Sequence, residues 1–267
     1  MADAAKKLGR VAQVGSQQRS LPLTRWACEQ IANGAIGKVK TVLVPNFVGP
    51  NDLPNDPKYD LDPKDCDPWW DVWTNQAKLR KCCDEIQYGW SNWRDYDAGG
   101  LCFGVSGWGT HSFDQMQMAI GTSFTGPVQI ALMEPCTIQD SGKFTNRPYS
   151  EDDTGVDYYH MAKVKGPRGK IRMMFANGVE ARFELDGDRG PGLGCIVVGE
   201  KGKIEINRHK LSSNPKEIVA NMPEEAKNTR DETVYHIENW AECIKTGAQP
   251  NATVEIGQRS TTICELV

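Results

Sequence analysis

Apolar residues recur along this chain with two different periods, and the change from one to the other divides it. In the first half the spacing is helical. Residues 21–33 put Leu23, Trp26, Ala27 and Ile31 on one stripe, with Pro22 in the first turn and Gly34 as a stop, which predicts an amphipathic helix. Phe113, Met116, Ala119 and Ile120, closed by Gly121, mark a second, buried helix. Residues 2–9 read as a helix ending at Gly9, 11–14 as a short buried strand, and 38–45 as another strand. Beyond Gly121 the period becomes two, and residues 128–133, 157–164, 170–175, 179–185, 195–198 and 203–206 are consecutive strand candidates. Glycine-containing connectors at 166–169, 177–178 and 199–202 separate them, Asn177-Gly178 being the strongest hairpin signal. Ile171, Met173 and Phe175 should share one face, with Arg172 and Met174 opposite. Polar stretches at 49–68 and 215–231 read as loops, 233–246 as a helix stopping at Gly247, and 253–267 as the start of another. Strands following helices, joined by hairpin turns, predict an α+β fold: a largely antiparallel open β-sheet with helices on one face.

Composition narrows the partners. A net charge of -4 over 267 residues provides no basic field for nucleic acid. No apolar run approaches the roughly 18 residues of a membrane span, and the N-terminus has no signal-peptide core, so neither membrane nor secretory route is expected. The 9 cysteines are odd in number and lack CxxC spacing, which predicts free thiols, no metal site and a cytoplasmic location.

The candidate chemistry centres on residues 99–115, a glycine-rich loop that passes Trp108 and delivers His111 to the first turn of the buried helix. Imidazole is suited to proton transfer near neutral pH; the alternative is a core histidine satisfied by neighbours such as Asp114. His160 and Tyr158 alternate onto one face of a strand, as site or as exposed surface, and His236 opens a helix as a cap or site residue. His209, between Arg208 and Lys210, reads as solvated. Trp69, Trp70, Trp73, Trp90, Trp93 and Trp108 place six of the 8 tryptophans between 69 and 108, either anchoring loops or forming stacking platforms for a ring such as a sugar. Gly190-Pro-Gly192-Leu-Gly194 has the wrong spacing for a dinucleotide loop, and Gly104-Val-Ser106-Gly-Trp misses a nucleophile elbow by one residue.

Val11-Ala-Gln-Val-Gly-Ser-Gln-Gln-Arg19, Asn33-Gly-Ala-Ile-Gly-Lys-Val39, Asn92-Trp-Arg94, Gly99-Gly100, Trp108-Gly-Thr-His111-x-x-Asp114 and His236-Ile-Glu-Asn-Trp240 together resemble the Gfo/Idh/MocA oxidoreductases. The resemblance implies a Rossmann domain that binds NAD or NADP, followed by an open-sheet domain that shapes a sugar or polyol site and mediates homo-oligomerisation. By that comparison residues 1–19 are a remnant of the first domain and 20–267 most of the second, cut at its C-terminal end; the glycine fingerprint and the family's catalytic lysine should precede residue 1.

The resemblance makes His111 the catalytic acid/base and places Trp93, Arg94, Trp108, Asp114, Tyr158, His160 and His236 at the substrate, with Gln17 and Arg19 bordering the cofactor. Gly107 stands where the family has an aspartate, so the carboxylate partner of His111 is missing from its usual place. The implied function is NAD(P)-linked oxidation of a sugar or polyol hydroxyl, the cofactor not being bound by this chain alone, so that it either works with a separately encoded Rossmann subunit or is a truncated relic. Two other classes stay open: a cofactor-independent glycoside hydrolase or lyase using His111 with Asp97 or Asp114, and a non-catalytic sugar-binding or oligomerisation module.

Overall fold

The computed structural model describes residues 1–53, 64, 66, 68–87, 90–97, 104–140, 165–186, 193–208, 210–227 and 230–267. They form two compact units, one of residues 1–46, 108–135 and 169–267, the other of 47–107 and 136–168.

A seven-stranded sheet is built from β1 (Val39–Asn46), β2 (Pro127–Asp140), β3 (Lys165–Phe175), β4 (Glu180–Asp186), β5 (Cys195–Gly199), β6 (Lys203–Asn207) and β7 (Lys210–Asn214), in the order β2-β3-β4-β1-β5-β6-β7. Its pairs β3–β4, β1–β5, β5–β6 and β6–β7 are antiparallel and β1–β4 is parallel, so the sheet is mixed but largely antiparallel. The period-two pattern explains its faces. Ile171, Met173 and Phe175 of β3, Ala181 and Phe183 of β4 and Ile204 and Ile206 of β6 are buried. Arg172 and Arg182 stand opposite one another on the other face, where Glu180 pairs with both. Gly178, at a φ of 82°, makes the β3–β4 turn that Asn177-Gly178 predicted.

The helices of this unit are α1 (Ala2–Lys7), α2 (Pro22–Ala32), α5 (Thr110–Ala119), α6 (Glu224–Lys227), α7 (Glu232–Thr246) and α8 (Val254–Leu266); α3 (Trp69–Thr74) and α4 (Asp84–Gln87) lie in the other unit. The α5 helix packs on β1 and β5, and α2 on β6 and β7. Phe113 of α5 meets Phe183 edge to face, 5.1 Å between ring centroids, which seats the helix on the sheet's apolar side. Asp231 caps α7 through the Thr233 amide, Gly247 closes it in a left-handed conformation, and the Thr253 hydroxyl caps α8.

Several predicted elements are corrected. Residues 11–14 form a single bridge, Gln13 to Thr253, because no neighbouring strand continues the ladder. The stretch 166–169 lies inside β3 rather than between strands. Gly166 there lets the backbone close on Gly49, whose carbonyl would sit 2.2 Å from an added Cβ. Strand β7 and helices α3, α4 and α6 had no clear periodicity to reveal them. The candidate strand 157–164, and with it Tyr158 and His160, lies outside the described residues.

In the second unit Trp70, Cys82, Cys83 and Ile86 form a buried core against which Trp73 and Tyr96 pack. Trp70 stacks on Trp73 at 4.8 Å with an interplanar angle of 9°, and its indole nitrogen donates to the Arg80 carbonyl at 2.8 Å.

Candidate functional site

Residues Val105–Gly109 form a π-type turn that runs directly into α5, so His111 sits in the first helical turn as the sequence implied. Its Nδ1 is closed to solvent and has no hydrogen-bond partner in the protein, while the residue as a whole is partly exposed, so its open surface lies elsewhere on the side chain. Burial, then the charge of Arg208, push its pKa down to about 4; Glu232 pulls the other way. The ring is therefore neutral at pH 7, and the same burial that keeps it neutral weakens it as a base. Arg208 follows β6, Glu232 opens α7, and the two are joined at 2.9 Å. Glu232 thus brings a carboxylate into the field of His111 from an element remote in sequence, where Gly107 supplies none. Nothing local marks it, and sequence reasoning missed it.

One turn along α5 from His111, Gln115 is 1% exposed and neither of its amide atoms has a partner. Orphaned polar atoms inside a fold call for water or a ligand group, since leaving each unpaired costs about 1–3 kcal/mol. Gly194 allows this crowding: a Cβ there would meet the Ile206 carbonyl at 1.9 Å and the Gln115 Oε1 at 3.0 Å. His111, Gln115, Arg208 and Glu232 are the residues that the structure groups around the first half of α5.

The other expected residues of this unit are put to a different use. Arg19, on the turn Gln17–Ser20, donates through Nε to the Asp114 carboxylate at 2.6 Å and through Nη2 to the Ser123 hydroxyl at 3.1 Å. The second Asp114 oxygen accepts from Ser260 of α8 at 2.7 Å. Burial raises the Asp114 pKa although Arg19 and Ser260 oppose it. His236 donates from Nε2 to the Val14 carbonyl at 2.8 Å, which leaves Nδ1 to accept from the Ser20 hydroxyl at 3.0 Å. Arg19, Asp114 and His236 are all under 9% exposed and paired within the protein, so they join α2, α5, α7 and α8 rather than face a ligand. Burial beside this pair also pushes the Cys28 thiol up to about 12, well away from nucleophilic use.

Gln17 is partly exposed with its Oε1 buried and unpartnered. Trp108 lies in the turn before α5, separated from it by Gly109. Trp93 and Arg94 belong to the second unit, where Trp93 bridges Asn51 and the Arg94 guanidinium meets Asp52 at 3.3 Å. Asp97 there accepts from Ser106 at 2.7 Å. Among the described residues no group of three His, Cys, Asp or Glu could hold a metal, and no helix is long and apolar enough to cross a membrane.

Among the described residues no helix opens from a glycine turn after a strand in the way a pyrophosphate requires, and Arg19, expected at the cofactor, is closed in by Asp114.

No family model matches the sequence, and no curated protein matches it. Solved structures do. Aldose-aldose oxidoreductase from Caulobacter crescentus, solved with glycerol, is 17% identical, covers 99% of this chain and 62% of its own, and superposes with a TM-score of 0.54. An oxidoreductase domain protein from Kribbella flavida is 17% identical over 98% of this chain and 64% of its own, with a TM-score of 0.52. Levoglucosan dehydrogenase, solved with NADH and levoglucosan, is 16% identical over 98% and 64%, with a TM-score of 0.50. The chain spans a little under two thirds of the length of these proteins. At this identity the likeness is one of fold: the chain shares its fold with these solved oxidoreductases.

Proposed function

We propose that this chain is the sugar- or polyol-binding part of an oxidoreductase, with His111 as the group that takes the proton from the substrate hydroxyl. The observation that carries the reading is His111 itself: an imidazole held neutral by burial yet partly exposed, at the head of α5, on a fold shared with a solved aldose-aldose oxidoreductase. Its neighbours suit that role. Glu232 and Arg208 form a nearly neutral pair beside the ring, so burial decides its protonation. The buried, unpaired amide of Gln115, one turn along α5, can donate to and accept from an enclosed water.

NAD or NADP would accept the hydride, held by a dinucleotide-binding segment or separate subunit and not by the residues described. Residues 1–19 would border that domain and 20–267 would form the substrate and oligomerisation domain. Cys28, Cys136, Cys195 and Cys243 are free thiols, which suits a cytoplasmic protein.

Thermal-shift titration of the 267-residue chain with a panel of sugars and polyols, and separately with NAD and NADP, tests this. Sugars or polyols should raise the melting temperature by mass action, and His111→Ala should remove the shift. A panel without effect, or an undiminished shift in His111→Ala, would overturn the assignment. A shift with NAD or NADP would instead show that the chain carries its own cofactor site.

A further inference from the structure

The second unit holds a cavity of about 620 Å³, within the usual size of small-molecule sites, lined among others by Trp73, Asn75, Gln76, Trp90, Asp95 and Tyr96. Trp73 is stacked against Trp70 on one side and tilted 51° to Tyr96 at 5.8 Å, so its ring is held in place before any ligand arrives. Trp90 is 36% exposed. Around these flat apolar surfaces stand exposed polar groups. Asn75 and Gln76 carry amides, and the Asp95 carboxylate is fixed by Arg80 at 2.8 Å. Asn75 occupies a positive φ of 49°, a costly conformation for a residue with a side chain, in the turn that closes α3 at the cavity wall.

We propose that this cavity is a saccharide-binding site, separate in its residues from the His111 group, that takes a neutral pyranose ring stacked on Trp90 and Trp73. A pyranose presents a C–H face that packs on an aromatic ring and equatorial hydroxyls that point outward to its rim, which matches rings at the wall and amides with a carboxylate at the edge. The Arg80–Asp95 pair leaves spare acceptor capacity on the carboxylate without net charge, which selects a neutral ligand over an anion or a cation. The site rests on no property of His111 and stands or falls independently of the function proposed above.

Saturation-transfer NMR with methyl β-D-glucopyranoside, methyl α-D-mannopyranoside and cellobiose, followed by tryptophan fluorescence titration, reads this site. At least one probe should receive saturation chiefly on the protons of its C–H face. Trp90→Ala should weaken that binding by about tenfold, the scale of one lost stacking contact. Gln76→Ala, at an exposed position outside the unit's core, should weaken it without touching the fold, and it decides the matter if Trp90→Ala fails to fold. His111→Ala should leave it unchanged. The proposal is overturned if none of the three probes receives saturation, if both Trp90→Ala and Gln76→Ala bind as the parent does, or if the signal disappears with His111→Ala.

Discussion

His111 is where burial overrules charge. An ordinary imidazole is half protonated near 6.5, but the cost of burying its cation, reinforced by Arg208 and only partly offset by Glu232, holds this one to about 4. His236 is shifted in the same direction by its own burial. A base whose folded pKa is depressed binds fewer protons than the unfolded chain does, so its contribution to stability is complete above about pH 6.5 and is lost as pH falls toward 4. Between about pH 7 and about pH 5 the His111 share of that loss is on the order of 2 kcal/mol. Asp114, raised by burial, acts with the opposite sign, so the comparison that isolates His111 is with His111→Gln. The drop in melting temperature between those two pH values should be smaller in the variant; an equal drop would show that His111 does not titrate in this range. The place of His111 at a helix start was legible because it depends on the loop-to-helix pattern around it. The company it keeps was not, because Arg208 and Glu232 arrive from other elements.

At the scale of elements, α5 carries two functions on one short helix. Its first turn presents His111, and the next turn ties it through Asp114 to Arg19 ahead of α2 and to Ser260 of α8. An ion pair this deep contributes little by forming, but removing one member strands the other without water. Asp114→Ala should therefore destabilise the protein by about 3–5 kcal/mol, read as a lowered midpoint in thermal or urea unfolding. Should the midpoint hold while sugar binding vanishes, Asp114 contacts the ligand as the family resemblance implied. Spacing alone ranks Asp114 and His236 with His111, since all three are polar residues in apolar-periodic helices. Only the packing of neighbouring helices separates the closed ones from the partly open one.

At the scale of the molecule, β2 is the outermost strand of the sheet among the described residues, and it leaves Val128, Ile130 and Leu132 exposed. A long edge strand with apolar side chains invites pairing with a second copy. Homo-oligomerisation through this face, which the resemblance implied, predicts that the chain sediments as a dimer or larger at micromolar concentration and that Ile130→Lys with Leu132→Lys shifts it to monomer. A monomeric parent chain would sink the idea.

The sequence by itself determined the local order of this protein. Period-two alternation set which side of β3 is buried, Asn177-Gly178 set the β3–β4 turn, and Asp231, Gly247 and Thr253 set the ends of α7 and α8, each through interactions among residues close in the chain. The motif order carried the resemblance to an oxidoreductase family, and the fold agrees with it. Tertiary structure decided what no local pattern encodes: the insertion of β1 between β4 and β5, the parallel β1–β4 pair, and the arrival of Glu232 near His111. It also turned Arg19, Asp114 and His236 inward as a joint between helices. Long-range partners are chosen by which apolar faces can be buried together, and that choice is made by the whole chain at once.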